Sequence, residues 1–179
     1  MSLVSHHTIS LDGYVAGPDD EVEWSFEYGA ATSLAGETME RIGAILAGRR
    51  WYELARDRWN GVDGIYGGAF EGRVFVLTHQ PPEESADPRI EFVSGELGGA
   101  IDAALAAADG SDVGIFGGSL TRQCLRAGRL DEIVLHVVPV LLGGGVSLFD
   151  GLGERVELKR VSLGEAEQLT DLRFRVLRP

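Results

Sequence analysis

The chain of 179 residues carries 28 acidic against 16 basic side chains, a formal net charge of −12, and 44% hydrophobic residues. That balance excludes intrinsic disorder and argues against a general nucleic-acid binder, because phosphate neutralisation needs basic surface. The single cysteine, Cys124, excludes an internal disulfide and a thiolate zinc site, and no apolar run approaches the ~18–20 residues of a membrane span. The length suits one domain over residues 1–179. The first residues lack the basic and apolar regions of a signal peptide, so a cytoplasmic protein is expected.

In chain order, Leu3 to Ile9 reads as a strand and Asp12-Gly13 as a turn, with Tyr14-Val15-Ala16 resuming in extended form. Gly17-Pro18-Asp19-Asp20 is loop chemistry. A helix is expected over 28–42, with Leu34, Met39 and Ile42 as its stripe, then a buried strand Ala44–Ala47 and a helix from Arg49 to Arg58. The glycine-rich segment 60–72 reads as a surface excursion. Arg73–Leu77 and Ile90–Val93 read as strands, and Leu97–Ala108 as a helix with Leu97, Ile101 and Leu105 in register. Val113–Phe116 is a buried strand that turns through Gly117-Gly118 into a helix opened by Ser119, with Leu120, Cys124 and Ala127 on one face. Ile133–Val138 is apolar on both faces except for His136, as a central strand requires. Two last segments, 156–163 and 169–177, form an antiparallel hairpin in which Leu172, Phe174 and Val176 alternate with Arg173 and Arg175.

Three strand ends carry ligand-binding chemistry: Gly48-Arg49-Arg50-Trp51, Leu77-Thr78-His79 and Phe116-Gly117-Gly118-Ser119-Leu120-Thr121. In an open α/β sheet, ligands bind at the carboxyl ends of strands. A strand that passes through Gly-Gly into a helix offers backbone N–H groups to an anion without an obstructing Cβ. Arg49 and Arg50 add guanidinium forks for phosphate oxygens, and Thr78 and His79 suit a monoester phosphate. Each unit also has a plain reading: a tight turn with a capping serine, arginines on a solvated helix, a capping threonine, a surface histidine.

The ordered motifs Ser10-Leu11-Asp12-Gly13-Tyr14-Val15-Ala16-Gly17, Leu46-Ala47-Gly48-Arg49-Arg50-Trp51-Tyr52-Glu53, Val76-Leu77-Thr78, Gly114-Ile115-Phe116-Gly117-Gly118-Ser119, Leu130-Asp131-Glu132-Ile133 and Pro139-Val140-Leu141-Leu142-Gly143-Gly144-Gly145 span nearly the whole chain. Together they resemble the dihydrofolate-reductase-like superfamily, and within it the reductase domain of the bifunctional riboflavin-biosynthesis deaminase-reductase. The resemblance implies a three-layer α/β/α fold with a mostly parallel sheet and a C-terminal antiparallel hairpin. It also implies NADPH as hydride donor and a C=N or C=O acceptor in a small heterocyclic or ribosylaminopyrimidine-type substrate. By position, Phe116, Gly117, Gly118, Ser119, Leu120 and Thr121 would hold the pyrophosphate and nicotinamide side, and Gly48, Arg49, Arg50 and Trp51 phosphate. Leu77, Thr78 and His79 would meet the adenosine 2′-phosphate, and Ala16 and Gly17 would edge the nicotinamide. The zinc deaminase half has no counterpart, and Trp51 stands where the family has threonine.

The same resemblance makes Asp12 the first choice for the polar group at the reacting end, against the plain reading of an Asp-Gly turn, with Glu23, Glu27 and Asp57 as alternative proton relays. Trp24 and Phe26 could wall the substrate pocket or simply pack, and Leu142 and Gly143, at the head of Gly143-Gly144-Gly145, would bring backbone to the substrate side or simply form a flexible connection into the last hairpin. His136 reads as a hydrogen-bonded core histidine rather than a catalyst. His6 and His7, adjacent in a strand, face opposite ways and make a poor metal pair. No metal is expected. A homodimer is expected by analogy with related reductase domains. The competing readings are a promiscuous NADPH reductase of another small molecule and a non-catalytic NADPH-binding sensor.

Overall fold

In a computed structural model describing residues 1–28, 32–81 and 87–178, a long sheet carries helices on both faces. The chain opens with β1 (Leu3–Ser10) and a short β2 (Tyr14–Ala16), then α1 (Ser33–Arg41), β3 (Ile42–Gly48) and α2 (Arg49–Arg58). β4 (Arg73–Leu77), β5 (Ile90–Val93), α3 (Leu97–Ala107), β6 (Asp112–Phe116) and α4 (Gly118–Arg126) follow. It closes with β7 (Glu132–Val138), β8 (Val146–Ser147) and the hairpin of β9 (Leu158–Ala166) and β10 (Leu169–Val176).

The main sheet has the order β5-β4-β3-β6-β1-β7-β10-β9. Its first six strands run parallel, and β10 and β9 complete it antiparallel. Strands buried on both faces need apolar side chains in both directions, which is why β3 and β6 read as unbroken apolar runs. On one face α3 and α4 cover Leu3, Ile9, Leu46, Phe75, Ile115 and Ile133. On the other, Ile45, Ala47, Val74, Val76 and Phe116 pack against Val62, Ile65 and Phe70. Burying each such side chain stabilises the fold by roughly 1.5–3 kcal/mol.

That second cluster corrects the reading of 60–72 as a surface excursion. The segment forms 3-10 turns over Gly61–Gly68, and Val62, Ile65 and Phe70 are all buried. The apolar residues spaced among the glycines provide the anchor. The first helix is also shorter than expected: Thr32 caps it by accepting from the Ala35 N–H at 3.1 Å, and residues 29–31 lie outside the described residues. Leu34 and Thr38, rather than Met39, are buried from it. Ile42 already belongs to β3, where its β-branched side chain joins the core.

α4 begins at Gly118 rather than Ser119, with Gly117 as its N-cap. Leu120, Thr121, Cys124 and Leu125 bury one face of the helix. It ends at Gly128 (φ 61°), where the Gly128 N–H donates to Leu125 O and the Arg129 N–H to Cys124 O, a Schellman closure. The small β2–β8 ribbon was not anticipated. It pairs Tyr14 with Ser147 and Ala16 with Val146, and Gly145 (φ 126°) permits it, since a Cβ there would overlap the Ala16 carbonyl oxygen.

Candidate functional site

The sheet order sets the three strand ends side by side. β3 lies between β4 and β6, with Gly48 opposite Leu77 and Ala47 opposite Phe116. Beyond these ends a cavity of about 1070 Å³ opens. That exceeds the ~300–1,000 Å³ usual for one small-molecule site, so it has room for a cofactor and a second molecule.

Two helices start at this cavity. α2 has Gly48 as its N-cap and α4 has Gly117, and neither cap makes a side-chain hydrogen bond. The N–H groups of a helix's first turn lack intrahelical acceptors, so both ends present free donors and the positive pole of the helix dipole. At Gly117 (φ 99°) the backbone is left-handed, and at Gly118 a Cβ would press on the Ser147 carbonyl oxygen at 3.0 Å. Position 117 therefore favours glycine, and any side chain at position 118 would need the Ser147 backbone to shift by a few tenths of an ångström.

Of the expected cofactor residues, Ala16, Gly48, Arg49, Arg50, Trp51, Leu77, Thr78, His79, Phe116, Gly117, Gly118, Ser119 and Leu120 line the cavity. Gly17 and Thr121 do not. The Gly17 N–H donates to Glu21 O at 2.7 Å, closing the loop after β2. Thr121 is fully buried beneath the wall, its hydroxyl 3.2 Å from both Ser5 Oγ and His7 Nε2.

The arginines of α2 are already engaged. Arg49 donates to Glu53 at 2.7 Å and to the Gln80 carbonyl at 2.9 Å, and Arg50 pairs with Asp20 at 2.6 Å. Arg58 donates to the carbonyls of Asp19 and Asp20. Because these pairs are exposed, each is worth ~1 kcal/mol or less and can give way to a phosphate. Beside Arg49 lies a smaller hollow of about 230 Å³ that also involves Arg56, Thr78 and Gln80.

The residues expected at the reacting end depart most from expectation. Asp12 does not line the cavity. Its Oδ1 accepts from the Ser10 hydroxyl at 2.6 Å and the Leu142 N–H at 3.1 Å, and its Oδ2 from the Gly143 N–H at 2.8 Å. The Ser10 hydroxyl, then the Gly143 and Leu142 amides, hold its carboxyl below the ordinary aspartate range. The geometry is that of a clamp joining the turn after β1 to residues 142–143, whose amides serve the clamp rather than the cavity. Trp24 also stays off the cavity wall, its indole N–H donating to Glu21 O at 3.0 Å, whereas exposed Phe26 lines it. Glu23, Glu27 and Asp57 are likewise outside the lining, with Asp57 held by Arg56 at 2.6 Å.

His6, His7 and His136, read in the sequence as a poor metal pair and a core histidine, do line the cavity, together with Thr8 and Tyr66, which sequence reasoning passed over. His6 Nδ1 is 2.9 Å from the Tyr66 hydroxyl, and its Nε2 is 2.7 Å from His136 Nε2. His136 Nδ1 is 2.6 Å from Asp171 Oδ1, and Asp171 is only 2% exposed. Burial, then the neighbouring His136, His7 and Arg173, push the His6 imidazole well below its ordinary value. Burial also lowers His7 to about 4. Only the register of β1, β7 and β10 brings these groups together. In the sequence the signals of them were His136 in an otherwise apolar strand and the adjacent His6 and His7, with nothing to connect the two segments.

A mostly parallel sheet with a closing antiparallel hairpin and a strand-end cavity defines a dihydrofolate-reductase-like α/β domain. The sequence profile of the RibD C-terminal domain matches residues 69–170, more than half of the chain, and the protein belongs to that family. It is 25% identical to the uncharacterized protein YwjB of Bacillus subtilis over 171 residues, 93% of this chain and 94% of that one. Among solved structures, a putative riboflavin biosynthesis protein from Shewanella is 24% identical with a TM-score of 0.84, covering 99% of this chain and 100% of its own. A bifunctional deaminase/5-amino-6-(5-phosphoribosylamino)uracil reductase from Thermotoga maritima is similar at 14% identity and a TM-score of 0.66. The match covers 98% of this chain but 56% of that protein.

Proposed function

We propose that the protein is an NADPH-dependent reductase that delivers hydride to a C=N or C=O carbon of a small heterocyclic or ribosylaminopyrimidine-type substrate. The observation that carries this reading is the pair of uncapped helix N-termini at adjacent parallel strand ends, both opening on one cavity. That is an arrangement for a pyrophosphate. Gly117, Gly118, Ser119 and Leu120 would hold the diphosphate, with Gly48, Trp51 and Phe116 as walls. Arg49, Arg50, Thr78 and His79 would meet the 2′-phosphate that distinguishes NADPH from NADH. Bound there, the nicotinamide supplies the hydride. The residues around it position the acceptor and exclude water, with Ala16 and Phe26 beside the reacting end. The acceptor named for the Thermotoga relative supports this substrate class.

Fluorescence titration of the protein with NADPH and NADH tests this. Selective NADPH binding supports the reading, and no binding of either nucleotide overturns it. Binding without turnover of any C=N or C=O acceptor would instead favour a sensor. We further assign a cytoplasmic homodimer paired through the edge strand β9, whose Val161 and Leu163 are 48% and 54% exposed. Light scattering of wild type and Leu163→Lys checks the pairing, and a monomeric wild type would refute it.

A further inference from the structure

With Asp12 committed to its loop, the proton that must accompany hydride needs another source. We propose that Tyr66 is the catalytic proton donor, supplied through His6 and His136 from a charge site anchored by Asp171. This rests on the reductase reading and names the acid that the reading lacks.

The hydrogen-bond geometry allows two states of the chain. His136 Nδ1 faces a carboxylate oxygen at 2.6 Å and therefore carries a proton in both. The two Nε2 atoms face each other at 2.7 Å, so only one of them carries a proton at a time. When His136 is neutral, His6 Nε2–H donates to His136, and His6 Nδ1 accepts from the Tyr66 O–H. When His136 is an imidazolium against Asp171, every bond reverses. His136 Nε2–H donates to His6, His6 Nδ1–H donates to the Tyr66 oxygen, and the Tyr66 O–H is released towards the cavity.

Delivery converts the second state into the first. As hydride reaches the acceptor carbon, the π-bond electron pair moves onto the heteroatom, and the reduced nicotinamide is oxidised. The heteroatom takes the Tyr66 proton while Tyr66 takes the His6 Nδ1 proton. His6 Nε2 in turn takes the His136 Nε2 proton. One proton leaves, one imidazolium charge disappears, and His6 exchanges tautomers without ever becoming charged. A proton from water restores the chain after release.

Two further features fit this role. His6 sits where burial and the nearby His136, His7 and Arg173 disfavour its charged form, as a neutral relay requires. Tyr66 occupies the left-handed region (φ 51°), which a bulky residue rarely adopts. It is held there by ring contacts with Phe116 at 5.7 Å and His6 at 5.5 Å. The turn thus spends backbone strain to place a hydroxyl at the cavity wall. Asp171, His136 and His6 act through Tyr66 and are positioning residues.

The deciding experiment is ¹⁵N NMR of histidine-labelled wild-type protein between pH 5 and 9. His6 should change from the Nε2–H to the Nδ1–H tautomer as His136 gains its proton. A His6 that keeps one tautomer throughout, or becomes doubly protonated with His136, overturns the relay. This readout needs no substrate. Kinetics with NADPH and 5-amino-6-(5-phosphoribosylamino)uracil provide the second arm. Tyr66→Phe should lower kcat by roughly 100-fold or more while KM for NADPH stays within about twofold. Asp171→Asn should move the fall in rate with rising pH to lower pH, a shift that a purely structural role would not produce. Unchanged kcat in Tyr66→Phe overturns the assignment of the donor. A protein that fails to bind NADPH defeats the reductase reading instead, and the tautomer exchange still decides the chain.

Discussion

Acidification should destabilise this protein through His7, and the size of the effect can be worked out. Its imidazole lies against the buried Thr121 hydroxyl at 3.2 Å and 6.5 Å from the Phe116 ring, and burial lowers it to about 4. In the unfolded chain it returns to the ordinary value near 6.5. Between those values the unfolded state binds a proton that the folded state refuses, so stability is intact above about pH 6.5 and is lost as pH falls towards 4. At about 1.36 kcal/mol per pH unit of difference, the loss from this one residue is about 2.5 kcal/mol between pH 7 and 4.5. The depressed His6 adds to it in the same direction. Urea unfolding of wild type and His7→Asn at both pH values isolates the term, because the carboxylates common to both proteins cancel. The variant should start less stable yet lose about 2.5 kcal/mol less on acidification. Equal losses in the two proteins would show that His7 titrates freely in the folded state, and the reasoning would fail.

Gly145→Ala should destabilise by at least about 2 kcal/mol, from the unfavourable φ and the overlap with the Ala16 carbonyl, as thermal melts can check. Replacing Arg49 and Arg50 together by Gln should weaken NADPH binding by about tenfold or more while sparing NADH. Equal losses for both nucleotides would move the 2′-phosphate elsewhere. Burial pushes the Cys124 thiol up to about 12, so a thiol reagent should label it only under denaturing conditions. Rapid labelling of the native protein would contradict its place in the core. Asp12→Asn leaves one acceptor oxygen where two serve the clamp, so hydrogen exchange at the Leu142 and Gly143 amides should accelerate. Unchanged exchange there would deny the clamp.

What could be read in advance followed local rules. Apolar runs marked β3, β4, β6 and β7, and glycines after strands marked the turns into α2 and α4. These signals lie within a few residues of one another, and the parallel order then brought the three strand ends together. The strand-end side of the cavity was legible for that reason. The histidine-lined side was not, because its geometry is set by register between distant segments. Thr8 lies opposite His136, and His136 opposite Asp171, only once β1, β7 and β10 are paired. Tyr66 was hidden in a glycine-rich stretch whose composition suggests exposure, although Val62, Ile65 and Phe70 tie it to the sheet. The place of Asp12 off the cavity wall was not legible, because an Asp-Gly pair satisfies both a functional motif and a turn, and its hydrogen bonds to 142–143 depend on a loop far along the chain.

The central position of β1 also governs how the protein is made. Its sheet partners, β6 and β7, follow more than a hundred residues later, so Leu3, Val4 and Ile9 emerge from the ribosome with no strand to pair. At about 5–20 residues per second, synthesis from β1 through β7 takes on the order of 10 s. For that interval an apolar strand with open edges is exposed, a ready template for pairing with a neighbouring nascent chain. The hydrogen-bonded wall is completed still later, when Asp171 in β10 reaches His136. Until then a nascent chain can hold the glycine turns at the strand ends without the polar wall beside them.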